Sequence, residues 1–277
     1  MKKKEIISTT SSYLSSINEL KILVLNGSMA DPNIPDDKYQ DIDFSVLSSN
    51  IPKTITKIKD IKIFHDAILY TEKTPPPFSH TSINILLESG LEIGFNIYVD
   101  FEVFHKEINR FVVLLFNKLN KAIDFSPPKH RAFHVNKPIN EEFNKLLIDI
   151  YWAIADVMKG VKREQFIYAK HKYDTLLQPQ IKQLLTWYIR DINDWNVSLG
   201  SHGKRIKEFV DPYIYNQYLS TYSASSIQDL PKTLINAKCF VTDIGSRLAI
   251  SLGHNFPSTV DNKIIDYLNF GIENERL

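Results

Sequence analysis

Near residue 130 the hydrophobic pattern of this chain changes period, and that change restricts it to two unlike parts. Before it, short apolar runs alternate with turn residues. Lys21-Ile22-Leu23-Val24-Leu25 leads into Asn26-Gly27-Ser28, the pattern of a buried strand entering a turn. Asp41-Ile42-Asp43-Phe44-Ser45-Val46 alternates polar with apolar, so a half-buried strand is expected with both aspartates on one face. Ile61 to Tyr70, Ile83 to Glu88 and Glu92 to Tyr98 are further strand candidates, and Ser89-Gly90 suits a tight turn between the last two. A helix is expected over Lys4 to Leu20.

Phe125-Ser126-Pro127-Pro128 and the stretch to Pro138 end this pattern, because adjacent prolines forbid regular helix. Beyond it the spacing is helical. Phe143, Leu146, Leu147, Ile150, Ile154 and Val157 recur at three- and four-residue steps, as do Leu234, Ala237, Val241, Ile244, Leu248 and Leu252. Helical stretches are also expected from Arg163 to Leu177 and from Pro179 to Ile192. The expected fold class is α+β: a mixed β-sheet domain with helices over 1–134, then an all-α helical bundle over 135–277.

Composition removes several function classes. Lys and Arg number 33 against 32 Asp and Glu, which lacks the basic excess of a dedicated nucleic-acid or anionic-membrane binder. The single cysteine, Cys239, excludes an intrachain disulfide and a cysteine-rich zinc site; on an apolar helix it is expected in the core. Serines and threonines interrupt the segment after Lys2-Lys3-Lys4, so no secretory apolar region follows. Apolar runs such as Phe111 to Phe116 fall far short of the roughly 20 residues that span a membrane. The expectation is a cytoplasmic protein with neither nucleic acid nor membrane as partner.

The chemistry-bearing pattern lies between residues 22 and 46: strand, Gly27-Ser28, loop, then Asp41-x-Asp43 on a second strand. Gly27 allows close backbone approach to a phosphate, while turn N–H groups and the Ser28 hydroxyl can donate to phosphate oxygens. Carboxylates at i and i+2 of a strand project from one face about 7 Å apart, where they can share hard cations. Metals there would orient a nucleotide triphosphate and stabilise charge on departing pyrophosphate. Either motif alone also fits an ordinary turn or a solvated strand face.

Gly27-Ser28 … Asn33-Ile34-Pro35 … Asp37 … Asp41-Ile42-Asp43 resembles the signature of the aminoglycoside 6-adenylyltransferases, the streptomycin-modifying branch of the nucleotidyltransferase superfamily. Lys159-Gly160, Arg163-Glu164, Tyr168-Ala169-Lys170, Trp187-Tyr188-Ile189, Trp195-x-Val197-Ser198, Gly203-Lys204, Thr221-Tyr222 and Tyr267-Leu268 extend the resemblance through the second half. The resemblance implies a nucleotidyltransferase sheet domain carrying MgATP and a helical domain closing over the acceptor. It implies AMP transfer to a hydroxyl of a small polyhydroxylated cation, with Asp41 and Asp43 on Mg2+ and Gly27, Ser28 and Lys204 on the nucleotide.

Two departures from that family pattern bear on turnover. Met29 stands where the family has arginine, and Gly94 stands where it has a third aspartate. Glu92 and Asn96 share Gly94's face on a regular strand, but Glu92 is displaced from it by about 7 Å. A second function therefore fits the same residues: a non-catalytic homologue that binds a nucleotide or ligand and acts by sensing or sequestration.

Other candidates concern the acceptor. Asp149 is a candidate base for the acceptor hydroxyl, with Tyr151 and Trp152 beside it as candidate acceptor-binding residues. Asp36 and Asp37, in a loop with one lysine among five aspartates, are candidate contacts for a cation. His130 and His134 lie in a proline-rich stretch unsuited to a helical zinc pair, and His202 lies in a glycine-flanked loop.

Overall fold

The computed structural model describes residues 2–32, 34–74, 80–108, 111–119, 122–125, 136–222 and 225–273, without the side chains of 270–273. The proline-rich break, the expected boundary at 134/135, His130 and His134 lie outside the described residues. The chain divides into two units, Met1–Ala132 and Phe133–Leu277.

The first unit runs α1 (Lys3–Ser15), β1 (Leu20–Asn26), β2 (Ile42–Ser48), α2 (Ile51–Lys59), β3 (Ala67–Lys73), β4 (Thr81–Leu87), β5 (Glu92–Tyr98), α3 (Phe101–Glu107) and β6 (Val113–Asn117). Its six strands form one mixed sheet in the order β3-β4-β5-β2-β1-β6, in which β2 and β5 run parallel and the other neighbours antiparallel.

Strand alternation gives the sheet two different faces. One carries Leu23, Leu25, Phe44, Val46, Phe95 and Ile97, packed with Ile6 and Leu14 of α1 and Ile55 and Ile58 of α2. Phe44 and Phe95 stack there with centroids 4.9 Å apart. The opposite face changes character along the strands. At one end Ile22, Val24, Leu47 and Tyr98 are covered by Phe104 and Ile108, in and just after α3. At the other end the same face presents Asn26, Asp43, Ser45, Asn84, Gly94 and Asn96, none fully buried except Ser45. The apolar half packs against α3.

The second unit contains α4 (Asn140–Lys162), α5 (Phe166–Lys172), α6 (Gln178–Asp191), α7 (Pro212–Leu219), α8 (Leu230–Leu252) and α9 (Ser258–Glu273). Phe143, Leu147, Ile150, Ile154 and Val157 of α4 are buried against Leu234, Ala237, Val241, Ile244 and Leu248 of α8, the two stripes expected from spacing. A π-helical turn over Tyr173–Leu177 joins α5 to α6, so Pro179 lies in the first turn of α6 without ending the run. A buried ion pair, Lys238–Asp261 at 2.8 Å, ties α8 to α9, and Asp261 also accepts from Tyr151 (2.9 Å) and Thr242 (2.8 Å).

Several expectations need correcting. Cys239 is exposed on α8, because it falls between the buried positions Lys238 and Phe240 on the outward side of the stripe. The strand expected over 61–70 starts at Ala67, since Lys62–Phe64 form a 3-10 turn that buries Phe64. The first helix stops at Ser15, and Leu20 opens β1.

Candidate active site

β1 delivers Asn26 to the end of the sheet, and the chain turns at once through a single 3-10 turn, Gly27–Met29. Gly27 has φ +72°, a conformation that favours glycine. The N–H groups of Ser28 and Met29 open this turn and have no preceding carbonyl within it to bond. β2 brings Asp43 alongside, in register with Asn26 on one neighbour and with Gly94 on the other. Asp41 lies just before the first residue of β2 and is exposed.

Asp43 sits against two glycines. A Cβ built on Gly27 would fall 2.3 Å from Asp43 Oδ2, and one on Gly94 would fall 3.1 Å from Asp43 Oδ1. The carboxylate therefore occupies space that side chains at 27 and 94 would claim. Sequence reasoning assigned Gly27 only to phosphate approach; its first steric duty is toward Asp43. The structure also adds a residue the sequence did not single out. Asn84 of β4 pairs with Gly94, and its Oδ1 lies 3.4 Å from the position a Gly94 Cβ would take. A period-2 reading of β4 places Ser82 and Asn84 together on one face, which was the available signal.

The oxygen donors at this end are hard: the Asp43 carboxylate and the Asn84 carbonyl, both near the space above Gly94, and the exposed Asp41 carboxylate two residues before Asp43. This set fits a divalent cation of the magnesium type, which takes few protein ligands and keeps water and phosphate as the rest. Among the described residues no group of three or more His, Cys, Asp or Glu side chains converges. Glu92 is exposed at the start of β5, while Gly94 and Asn96 follow it on the same face.

The loop aspartates are arranged by the N-terminal helix. Lys3 Nζ donates to the Asp37 carbonyl and lies 3.9 Å from Asp36 Oδ1, and Asp37 Oδ1 accepts from the Tyr39 N–H at 2.7 Å. Both aspartates are exposed, and the lysine offsets part of their charge.

In the helical unit, Asp149 forms an ion pair with Lys145 one turn earlier on α4. Tyr151 is buried, and its hydroxyl is committed to Asp261; burial first, then the Asp261 charge, pushes its pKa well above the ordinary phenol value. Its ring, with Ile148, Trp152, Ala155, Val260, Ile264 and others, lines a cleft of about 450 Å³ between α4 and α9. Trp152 is 65% exposed there. Lys204 is exposed just after a 3-10 turn, Ser201–Gly203, in which His202 takes φ +54°. The structure thus brings Gly27, Asp43 and Gly94 together in the sheet unit and Asp149, Tyr151 and Trp152 onto one helix.

The family model described as streptomycin adenylyltransferase matches residues 1–270. Curated relatives include an aminoglycoside 6-adenylyltransferase of Staphylococcus aureus, 24% identical over 98% of this chain and 99% of its own length. Another with the same name, from Campylobacter jejuni, is 21% identical over 98% of each chain. The crystal structure of an aminoglycoside 6-adenyltransferase from Bacillus subtilis aligns over 98% of this chain and 99% of its own, at 17% identity and a TM-score of 0.48. No helix among the described residues is long and apolar enough to cross a membrane.

Proposed function

Since this chain belongs to the streptomycin adenylyltransferase family, we propose that it transfers AMP from MgATP to a hydroxyl of a streptomycin-like aminoglycoside, a small polyhydroxylated cation. Adenylyltransferases use ATP with a divalent metal, and Asp41 and Asp43 are assigned that metal here. The observation that carries the proposal is the seat of Asp43, pressed against the Gly27 turn at the polar end of the sheet, with Asp41 two residues earlier.

The chain's own residues divide the work. Asp41 and Asp43 hold the metal. When bound, Mg2+ neutralises triphosphate charge and stabilises the pyrophosphate as it leaves. The Ser28 hydroxyl and the N–H groups of Ser28 and Met29 donate to phosphate oxygens, and Lys204 is assigned a further phosphate contact. The acceptor oxygen attacks the α-phosphorus, a new P–O bond forms, and the bond to the β-phosphate oxygen breaks. Asp149 is assigned the proton of that hydroxyl. Asp36, Asp37, Trp152 and the ring of Tyr151 are assigned to the acceptor.

Gly94 supplies no carboxylate beside Asp43. With Asp149 assigned the proton, a third acid there would serve as a metal ligand, so turnover is expected to be slow compared with a site holding three acids. The test is direct. The protein is incubated with labelled ATP, Mg2+ and streptomycin, and the products are separated. An AMP–streptomycin adduct with pyrophosphate, both lost in Asp41→Ala, supports the proposal. ATP binding with neither product contradicts it and favours a non-catalytic binding homologue.

A further inference from the structure

The polar face of the sheet does not end at Asp43. One row of side chains along the strands toward α3, a cavity of about 150 Å³ is lined by Asn26, Ser45, His80, Asn96, Tyr98, Glu107 and Ile108. Asn26 and Ser45 tie it to the site above: Asn26 precedes Gly27 and pairs with Asp43, and Ser45 is the next residue on Asp43's face. The rows of a strand face are about 7 Å apart, so one small molecule can reach both places.

The cavity's hydrogen bonding is unevenly filled. The Tyr98 hydroxyl donates to Glu107 Oε2 at 3.2 Å, and His80 Nδ1 lies 3.6 Å from the same oxygen. Both contacts use Oε2, which leaves the second carboxylate oxygen for a ligand. Asn26 Nδ2 donates to Ser45 Oγ at 2.9 Å, and Ser82 donates to Asn96 Oδ1 at 2.7 Å. Asn26 Oδ1 is shut off from solvent and has no partner among the described residues. Among the described lining residues Glu107 is the one carboxylate, and beside it stand the His80 ring and the amide N–H groups of Asn26 and Asn96. An anion would face Glu107; a cation rich in N–H groups would meet the carboxylate.

Size narrows the occupant further. At roughly 30 Å³ per water the space is worth about five waters, too little for a nucleotide or a whole aminoglycoside and enough for one substituent. We propose that the cavity bounded by Glu107, Asn26 and Ser45 is a binding subsite for a single ammonium or guanidinium group of the acceptor. The identity of the molecule bearing that group rests on the adenylyl-transfer reading; the chemistry of the subsite does not.

The test uses the full-length protein and small probes. Methylguanidinium is titrated against it while the side-chain amide signals of Asn26 and Asn96 and the His80 ring are followed by NMR. N-methylurea, of nearly the same shape without the charge, is titrated in parallel. The expected result is a saturable shift of these signals with methylguanidinium and at least tenfold weaker binding of methylurea. Glu107→Gln, which keeps an acceptor for Tyr98, is expected to weaken methylguanidinium at least tenfold with an unchanged Tm. Absence of a saturable shift, equal affinity for the neutral probe, or indifference to Glu107→Gln each overturns the proposal. A protein that binds the cation here yet forms no AMP adduct contradicts the assigned activity and leaves the subsite standing.

Discussion

Asp43 and Gly94 face each other across the one parallel strand pair of the sheet, and a Cβ on Gly94 would begin 3.1 Å from the Asp43 carboxylate. The two positions are therefore coupled. Whatever occupies residue 94 acts first on Asp43 and only then on a substrate.

Gly94→Asp tests that coupling. Without metal, a second carboxylate against Asp43 adds like-charge repulsion and a tight contact, so the variant is expected to melt below wild type. With Mg2+ present the added acid becomes a ligand, and the gain in Tm from the metal is expected to exceed that of wild type. Thermal unfolding of both proteins with and without Mg2+ measures this. An equal metal response in the two would separate residue 94 from the Asp43 site.

Gly27→Ala is expected to fail for two reasons at once. Its φ of +72° costs an L-residue about 1–2 kcal/mol, and its Cβ would fall 2.3 Å from Asp43 Oδ2. The carboxylate must move. MgATP affinity is expected to fall at least tenfold while the fold survives with a lower Tm. Calorimetric titration alongside unfolding separates the effects, and a variant that binds MgATP as wild type does would remove Gly27 from the site.

In the helical unit, Asp261 holds three partners in a nearly closed space: Lys238, Tyr151 and Thr242. Removing one partner of a buried ion pair leaves an uncompensated charge, at a cost of roughly 3–5 kcal/mol. Asp261→Ala is expected to lose about that much in urea unfolding. Lys238→Met with Asp261→Leu together is expected to recover much of it, because neither charge is then stranded. A double variant no better than the single would indicate that the Tyr151 and Thr242 hydrogen bonds carry the stability.

The exposed position of Cys239 makes a simple chemical forecast. The native protein is expected to react with a thiol reagent such as DTNB at one site without denaturant, and Cys239→Ser is expected to leave the Tm within about a degree, as for a surface substitution. Labelling that requires unfolding would return this residue to the core.

The strongest elements of the fold were legible because one interaction dominated each. The α4 and α8 stripes follow from apolar spacing alone, and β1, β2 and β5 from short runs bounded by turn residues. Gly27, Asp41 and Asp43 stood out because strand, turn and strand follow one another closely in the chain. Asn84 and the Asn26–Glu107 cavity did not, since only tertiary pairing brings β4 and α3 onto the Asp43 face. Cys239 was misplaced for a related reason: a stripe of buried residues fixes which face points inward, and its neighbours Lys238 and Phe240 took that face. Lys238 reads as a surface charge until Asp261, 23 residues later, is placed beside it.

The central claim is that Asp43, seated against the Gly27 turn, holds a metal-bound triphosphate. Titration of ATP into wild type and Asp43→Asn, each with and without Mg2+, tests it most directly. The expected result is Mg2+-dependent binding in wild type that drops at least tenfold in Asp43→Asn, with the two proteins unfolding at similar temperatures. Equal ATP affinity in both, or wild-type binding indifferent to the metal, would contradict it.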